Sequence, residues 1–134
     1  MSEKNLWKWI NSKMKEVPSW RSCRLENCSE KGIPDSVVSF IPGRGGARVT
    51  AFIELKDWSE PKKHPLLIEQ RNFLSDFGGM VLIKAENHII LCYEHGLHPL
   101  LLCDVNWAMR TGHTIPVLEF NSPWFMAHII RCMS

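Results

Sequence analysis

The sequence lacks features that would place it in a membrane or in a secretory pathway. It has no run of about 18 consecutive apolar residues, so we expect no transmembrane helix. Residues 1–4 lead into an aromatic-rich stretch and not into the apolar core of a secretory signal. We therefore expect an intracellular, cytoplasmic protein with no membrane partner.

The chain also lacks the paired cysteine framework of a small secreted protein. Its five cysteines are an odd number and are scattered along the sequence, so we expect reduced thiols. One alternative use remains open, because Cys92, His95, His98 and Cys103 carry the sulfur and nitrogen atoms that zinc prefers. Their spacing matches no standard zinc module, so a zinc-stabilised interaction protein is a minor alternative.

The sequence also lacks a large excess of charge of one sign, since the formal net charge is only +2. That balance does not by itself indicate nucleic-acid binding, although a domain can concentrate its basic residues on one face. Arg24 lies in the basic N-terminal third, and Arg44 and Arg48 flank a glycine-rich segment. We expect these three arginines to contact the phosphate backbone of DNA.

Two apolar, β-branched runs predict a β-hairpin. Residues 37–41 and 49–53 are separated by the glycine-rich residues 42–46, which are typical of a flexible hairpin connection. Asp35 precedes the first run and Glu54 ends the second. Pairing around the loop places the start of one strand beside the end of the other, so the two carboxylates should converge on one cation.

The Glu54-Leu55-Lys56 tripeptide places an acid and a base on one face of the second strand. Residues two apart on a strand share a face, so Ile53 and Leu55 should pack on the opposite side. A carboxylate is a hard ligand for Mg²⁺ or Mn²⁺. The neighbouring Lys56 can hold the attacking water or offset charge that develops on a phosphate.

A helix should follow this strand, beginning near Pro65 and ending at Gly78-Gly79. Its inward stripe would consist of Leu66, Gln70, Phe73, Leu74 and Phe77. A polar side chain that faces inward needs a partner. Gln70 is therefore expected to bond an active-site lysine, Lys56, or a nearby backbone group.

The remaining elements complete a mixed sheet with flanking helices. An apolar spacing through residues 6–17, closed by Pro18, predicts a first helix that packs on the core. Residues 80–85 and 88–93 predict two further strands. In the tail, residues 97–109 are apolar, residues 115–120 resemble a strand, and residues 123–133 predict a last helix. The tail's large apolar side chains either cover the sheet or form a dimer contact; they are Trp107, Trp124 and Phe125.

These motifs resemble the PD-(D/E)XK nucleases, and within them the small VRR-NUC and phage-type endonucleases that are similar to Holliday-junction resolvases. The family pattern is Gly-x-Pro-Asp, then Glu-x-Lys, then Gln. The residues that carry the resemblance are Gly32, Pro34, Asp35, Glu54, Leu55, Lys56 and Gln70. It covers residues 24–85 and implies an α/β fold with a restriction-endonuclease-like core, a mixed β-sheet flanked by helices, as a single domain over residues 1–134.

The resemblance also implies a role for each site residue. Asp35, Glu54 and the backbone carbonyl of Leu55 would hold Mg²⁺ or Mn²⁺. Lys56 would assist the nucleophilic water, and Gln70 would orient Lys56 or the substrate phosphate.

A further acidic ligand is implied upstream of the Gly-x-Pro-Asp turn. Glu26 is the preferred residue, because phage-type members carry an acid at this point. Related members place the acid on the first helix, so Glu3 or Glu16 are the alternatives.

The function expected from this resemblance is metal-dependent endonucleolytic hydrolysis of DNA phosphodiester bonds, with a junction or a flap among the candidate substrates. DNA is the expected partner, and a homodimer is a further hypothesis. The alternative is a catalytically inactive nuclease scaffold that binds DNA or inhibits another protein.

Overall fold

A computed structural model describes residues 2–25, 32–43, 45–59 and 63–134, apart from the side chains of residues 95, 96, 98 and 99. Two residues with an expected role, Glu26 and Arg44, lie outside the described residues. Within that part of the chain, no helix is long and apolar enough to cross a membrane.

A six-stranded mixed sheet with strand order β1-β2-β3-β4-β5-β6 forms the centre of the fold. The strands are β1 (Arg21–Arg24), β2 (Ser36–Phe40), β3 (Val49–Asp57), β4 (Gly79–Ala85), β5 (His88–Cys92) and β6 (His113–Pro116). Neighbouring strands are antiparallel, except that β3 and β4 run parallel. A parallel pair needs a crossover, and a helix between β3 and β4 provides it.

Four helices flank the sheet, which confirms the expected α/β class. They are α1 (Glu3–Lys13), α2 (Ile68–Phe77), α3 (Val105–Thr111) and α4 (Ser122–Met133). Two 3₁₀ segments, Glu94–Leu102 and Val117–Glu119, lie between them.

The two faces of the sheet carry separate apolar clusters. On one face, α1 and α4 pack through residues such as Leu6 and Phe125 against Ile53 and Leu55. On the other face, residues of the second cluster include Leu74 of α2 and Ala108 of α3, together with Trp58, Val81 and Ile83. Because side chains alternate between the two faces along β3, Ile53 and Leu55 lie on the face opposite to Glu54 and Lys56, as the period-two pattern predicted.

Several boundaries differ from the sequence-based expectations. Strand β1 was not predicted, because a short run with two arginines carries no alternating apolar signal. Helix α2 begins at Ile68, three residues later than the expected Pro65, and Leu66 N–H instead donates to Leu100 O at 3.1 Å.

In the tail, the strand predicted over residues 115–120 was wrong beyond Pro116, where a 3₁₀ turn begins. The apolar residues 97–109 form part of a 3₁₀ segment and most of α3. Phe125 is fully buried and Trp124 packs against the core, so both cover the sheet, whereas Trp107 is half exposed.

Candidate active site

The β2–β3 hairpin interlocks Asp35 and Glu54 at one end of the sheet. The register pairs Ser36 with Ile53, so the next residues along each strand lie side by side. Asp35 N–H donates to Glu54 Oε1 at 3.1 Å, and Leu55 N–H donates to Asp35 Oδ2 at 2.9 Å. Each carboxylate is thus fixed by a backbone amide of the opposite segment, which holds both with little freedom to rotate.

Gly32 fixes the chain's entry into this hairpin. Its φ of +97° lies in a region that side-chain-bearing residues rarely adopt. A Cβ atom there would approach Glu69 Cβ of α2 to 2.8 Å. The glycine therefore permits the close approach of the hairpin to α2, which brings Asp35 toward the helix that carries Gln70.

The backbone of Leu55 faces the same edge of β3 as the Asp35 carboxylate. In an antiparallel ladder the N–H and C=O of one residue point to the same neighbour. Because Leu55 N–H points to Asp35 Oδ2, the Leu55 carbonyl lies on that side as well. The Leu55 carbonyl, which the resemblance implies as a third oxygen ligand, therefore points to the same edge of β3 as the Asp35 carboxylate.

Glu54 lies at the centre of the cluster. Lys56 Nζ is 3.4 Å from Glu54 Oε2, and Gln70 Nε2 donates to the same oxygen at 3.1 Å. The exposed fractions of Glu54 and Lys56 are only 2% and 6%. Ionisable groups are seldom this deeply buried unless they are paired, and these two are paired with each other.

The pKa of Glu54 is raised to about 8, chiefly by burial and then by the nearby charge of Asp35, while Lys56 acts in the opposite direction. A hydrogen bond between the two carboxyl groups adds to the upward shift. The direction of this shift shows that the buried site disfavours a second negative charge beside Asp35. A positive ion bound between the two carboxyl groups would offset that penalty.

Gln70 occupies the first turn of α2, and its amide has two partners. Its Oε1 accepts a hydrogen bond from Leu67 N–H at 2.9 Å, which satisfies a donor at the start of the helix. Its Nε2 donates to Glu54. Gln70 therefore contacts the carboxylate and a backbone group, and its bonded side-chain partner is not Lys56, because the acid lies between them.

These side chains line an open cleft of about 400 Å³. Its polar walls include Glu3, Asp35, Glu54, Lys56, His64 and Gln70. His64 was not recognised in the sequence. It precedes Pro65 in the connection from β3 to α2, and only its place just after the Glu-x-Lys strand could have indicated it.

Among the alternatives for the upstream acid, the structure brings Glu3 to the cleft. Burial raises the pKa of Glu3, and the charge of Asp35 adds to the shift. Lys56, His64 and Arg24 act in the opposite direction. Glu16 is elsewhere, because it accepts a hydrogen bond from the Ser122 hydroxyl on α4.

The two described arginines with an expected DNA contact lie in different places. Arg24 is close enough to influence Glu3 at the cleft, and its guanidinium lies 5.9 Å from the centroid of a Trp7 ring. Arg48 lies at the loop end of the hairpin, where its Nη1 donates to Ser19 O at 3.0 Å and to Ser39 Oγ at 3.1 Å. The hairpin therefore separates Arg48 from the carboxylates by the length of β2.

The donor set suits a magnesium-type cation. Among the described residues, no group of three or more His, Cys, Asp or Glu side chains is arranged to hold a metal ion. Mg²⁺ needs fewer, since it keeps several waters and usually takes one or two carboxylates. Asp35 and Glu54 supply hard oxygen atoms that lie side by side at the cleft, so the residues present fit such an ion.

The zinc alternative involves Cys92 and Cys103 among the residues whose side chains are described. Cys92 is fully buried in the second apolar cluster, and burial raises the pKa of its thiol to about 12. Cys103 is half-buried at the end of the first 3₁₀ segment. The side chains of His95 and His98 lie outside the described residues.

The site geometry identifies two interlocked carboxylates, a paired lysine and a glutamine in one cleft. No protein-family model, curated protein or solved structure matches this chain. The arrangement of Asp35, Glu54, Lys56 and Gln70 is therefore the basis on which a function is proposed.

Proposed function

We propose that the protein is a metal-dependent endonuclease that hydrolyses phosphodiester bonds in DNA. The observation that carries the proposal is the convergence of Asp35 and Glu54 through reciprocal backbone hydrogen bonds, with Lys56 Nζ 3.4 Å from Glu54. This places hard oxygen donors beside an ammonium group in an open cleft. The resemblance of these same residues to the PD-(D/E)XK pattern supports the same chemistry.

Asp35 and Glu54 would hold Mg²⁺ or Mn²⁺, with the Leu55 carbonyl on the same edge. A bound divalent cation would lower the pKa of its water and polarise the phosphate. Gln70 Nε2 fixes the orientation of the Glu54 carboxylate, since it donates to Oε2 while Asp35 N–H donates to Oε1. Two of the acceptor positions on Glu54 are thereby occupied by these amides, and others remain for a cation.

Lys56 has a different task because its charge is buried with Glu54. A cation bound to Glu54 would compete with the ammonium for the same carboxylate. The ammonium could then act on the attacking water or on the negative charge that grows on the phosphate oxygens, where a preorganised charge is most effective. Glu3 lines the same cleft and adds a third acidic group there.

The proposal is tested by cleavage of labelled single-stranded, duplex, flap and four-way-junction DNA with Mg²⁺ or Mn²⁺. Wild type is compared with Lys56→Met, which removes the ammonium and keeps most of the aliphatic stem. We expect Lys56→Met to reduce cleavage by at least about a hundredfold, the scale seen when one charge-stabilising donor is removed from an active site.

The matched control is Lys84→Met on the adjacent strand β4. The Lys84 ammonium donates a hydrogen bond of 3.1 Å to Glu86 O and does not contact Asp35 or Glu54 in that bond. This variant should cleave like the wild type. Equal activity in wild type and folded Lys56→Met would remove Lys56 from the chemistry. DNA binding by a wild type that cleaves none of these DNAs would instead favour the inactive scaffold.

A further inference from the structure

A second pocket of about 500 Å³ lies beside the cleft at the carboxyl ends of β3 and β4. The β4–β5 turn forms one wall through Glu86 and Asn87, and α3 forms the opposite wall through Asn106 and Met109. Trp58, just after β3, also lines it. None of these residues takes part in the proposed chemistry, so the pocket is distinct from the metal cleft.

The pocket and the cleft share one rim. Lys63 lines the pocket and the next residue, His64, lines the cleft. Lys56 of β3 lines the cleft, and Trp58, two residues later and just after β3, lines the pocket. Two residues of extended chain span only about 6.6 Å. This separation is comparable to one nucleotide of extended single strand. A DNA chain whose phosphate lies at Lys56 can therefore place a neighbouring base in the pocket.

The lining has the composition of a site for a flat, neutral, polar-edged ligand. Met109 and Val105 offer apolar surface, while the side-chain amides of Asn87 and Asn106 each carry both a donor and an acceptor. Amides of this kind pair with the edges of bases. Unstacked bases are held in proteins by such edge contacts together with apolar or aromatic surfaces.

Trp58 makes one boundary of this pocket rigid. Its side chain is only 2% exposed, and its Nε1 donates to His64 O at 2.9 Å. Its backbone N–H also donates to Lys84 O at 2.8 Å. The indole therefore links the position of His64 in the cleft to the pocket boundary, which fixes the two sites relative to each other.

The charges on the rim favour a base over a phosphate. Lys63 contributes a cation, but Glu86 contributes an anion to the same pocket. A phosphate site would be expected to collect cations and amide donors without a carboxylate. A nucleobase is neutral and tolerates both charges.

We infer that this pocket binds an unpaired nucleobase next to the scissile phosphate, so that the substrate must have single-stranded character at the cut. The inference rests on the proposed nuclease function for the position of the phosphate. In duplex DNA the bases are stacked and paired, and a base can enter the pocket only after it leaves the stack. Flaps, junction branch points and single strands supply such bases without that cost.

The first measurement uses wild-type protein and single-stranded DNA in which one nucleotide near the mapped cut is abasic, scanned along the strand. Removal of the base that occupies the pocket should slow cleavage by about tenfold, which corresponds to the loss of contacts worth about 1.4 kcal/mol. Abasic nucleotides elsewhere should have little effect. Equal cleavage at every abasic position would overturn the inference, and this result requires no protein variant.

The second measurement fills the pocket from an exposed position with Asn106→Trp. The variant should cleave intact DNA at the rate that wild type shows with the critical abasic DNA, and it should be insensitive to the abasic substitution. Arg110→Trp is the matched control, because Arg110 is an exposed residue of α3 that does not line the pocket. Wild-type cleavage of single-stranded DNA by Asn106→Trp would overturn the inference.

A binding readout separates this inference from the nuclease proposal. Lys56→Met protein is titrated with DNA that carries 2-aminopurine at each scanned position. One position should show a fluorescence change that Asn106→Trp removes. If the wild type cleaves no DNA but the fluorescence change is present, the nuclease proposal fails and the base site stands. If the wild type cleaves DNA and no position gives a fluorescence change, the nuclease proposal stands and the base site fails.

Discussion

In two clusters of this molecule, burial shifts the pKa of an ionisable side chain, upward for an acid in one and downward for a base in the other. In the candidate site, burial raises the pKa of Glu54 to about 8. In a histidine cluster formed by Tyr93, His113, Trp124 and His128, burial lowers the pKa of His128 to about 4. In both places the low-dielectric surroundings favour the uncharged form.

The clusters differ in what surrounds the uncharged group. The ring centroids of His113 and Trp124 lie 4.4 Å and 4.7 Å from that of His128, and the Tyr93 hydroxyl lies 3.3 Å from its Nδ1. Arg131 adds positive charge that further lowers the pKa of His128. This cluster is packed by rings, and the neighbouring charges that lower the pKa of His128 are positive, so they provide no attraction for a cation.

The Glu54 cluster differs, because the negative charge of Asp35 adds electrostatic repulsion to the effect of burial. Asp35 raises the pKa of Glu54, and the cluster opens onto a cleft. A divalent cation would relieve that repulsion. The comparison therefore favours the Glu54 cluster as a ligand site, because there an open cleft leaves room for a positive ion that would reverse the pKa shift.

The largest effect that would test this comparison is expected from Asp35→Asn. The asparagine can still accept the Leu55 N–H bond, but it removes the negative charge that raises the pKa of Glu54. Because the folded pKa of Glu54 is raised from 4.5 to about 8, its contribution to stability is fully present below pH 4.5 and is lost as the pH rises toward 8. Without metal, Asp35→Asn should reduce this loss and be more stable than wild type at pH 8.

Chemical denaturation in a chelator from pH 5 to pH 9 measures this difference. Asp76→Asn on the exposed side of α2 is the matched control, because it changes the net charge equally outside the site. Parallel pH profiles for Asp35→Asn and Asp76→Asn would show that the repulsion at Glu54 is not released. In the same assay, Mg²⁺ or Mn²⁺ should stabilise wild type and Asp76→Asn more than Asp35→Asn.

A smaller effect of the opposite sign is expected in the histidine cluster from His128→Asn. The folded pKa of His128 is lowered from 6.5 to about 4, so its contribution to stability is present above pH 6.5 and is lost as the pH falls toward 4. An asparagine cannot be protonated in this range and can still accept the Tyr93 hydroxyl. The variant should therefore lose less stability than wild type between pH 6.5 and pH 4.

His88→Asn provides the comparison for this measurement, since it removes an imidazole from neighbouring strand β5. Thermal unfolding followed across the acid range should separate the two variants. Equal acid sensitivity of His128→Asn and wild type would mean that the ring cluster does not penalise the charged imidazole. Added Mg²⁺ should leave the difference between the two variants unchanged.

The hairpin elements could be predicted from the sequence because their signals are local. Alternation placed Glu54 and Lys56 on one face, and the apolar runs around residues 42–46 fixed the hairpin and with it the approach of Asp35 to Glu54. These contacts depend on strand period and on loop position, both of which can be read directly from residue spacing.

Other features depended on tertiary packing and could not be derived in this way. The approach of Glu3 to the cleft depends on how α1 packs across the sheet, and His64 is placed by its connection to buried Trp58. The second pocket depends on the packing of α3, whose residues had been grouped only as an apolar stretch. Short-range patterns carry no information about which distant surfaces meet.

The smallest expected effect concerns Gln70, whose partner the sequence left open between a lysine and a backbone group. Because its amide joins Leu67 N–H to Glu54 Oε2, Gln70→Ala removes one helix-start bond and one carboxylate contact. We expect a loss of about 1 kcal/mol in the free energy of unfolding and a weaker reduction of cleavage than in Lys56→Met. Asn72→Ala, an exposed change on the same helix, is the control for both measurements. If both alanine variants had equal stability and equal activity, the bond to Glu54 would contribute nothing to the orientation of the carboxylate, and the comparison between the two clusters would then depend on Asp35 and Lys56 alone.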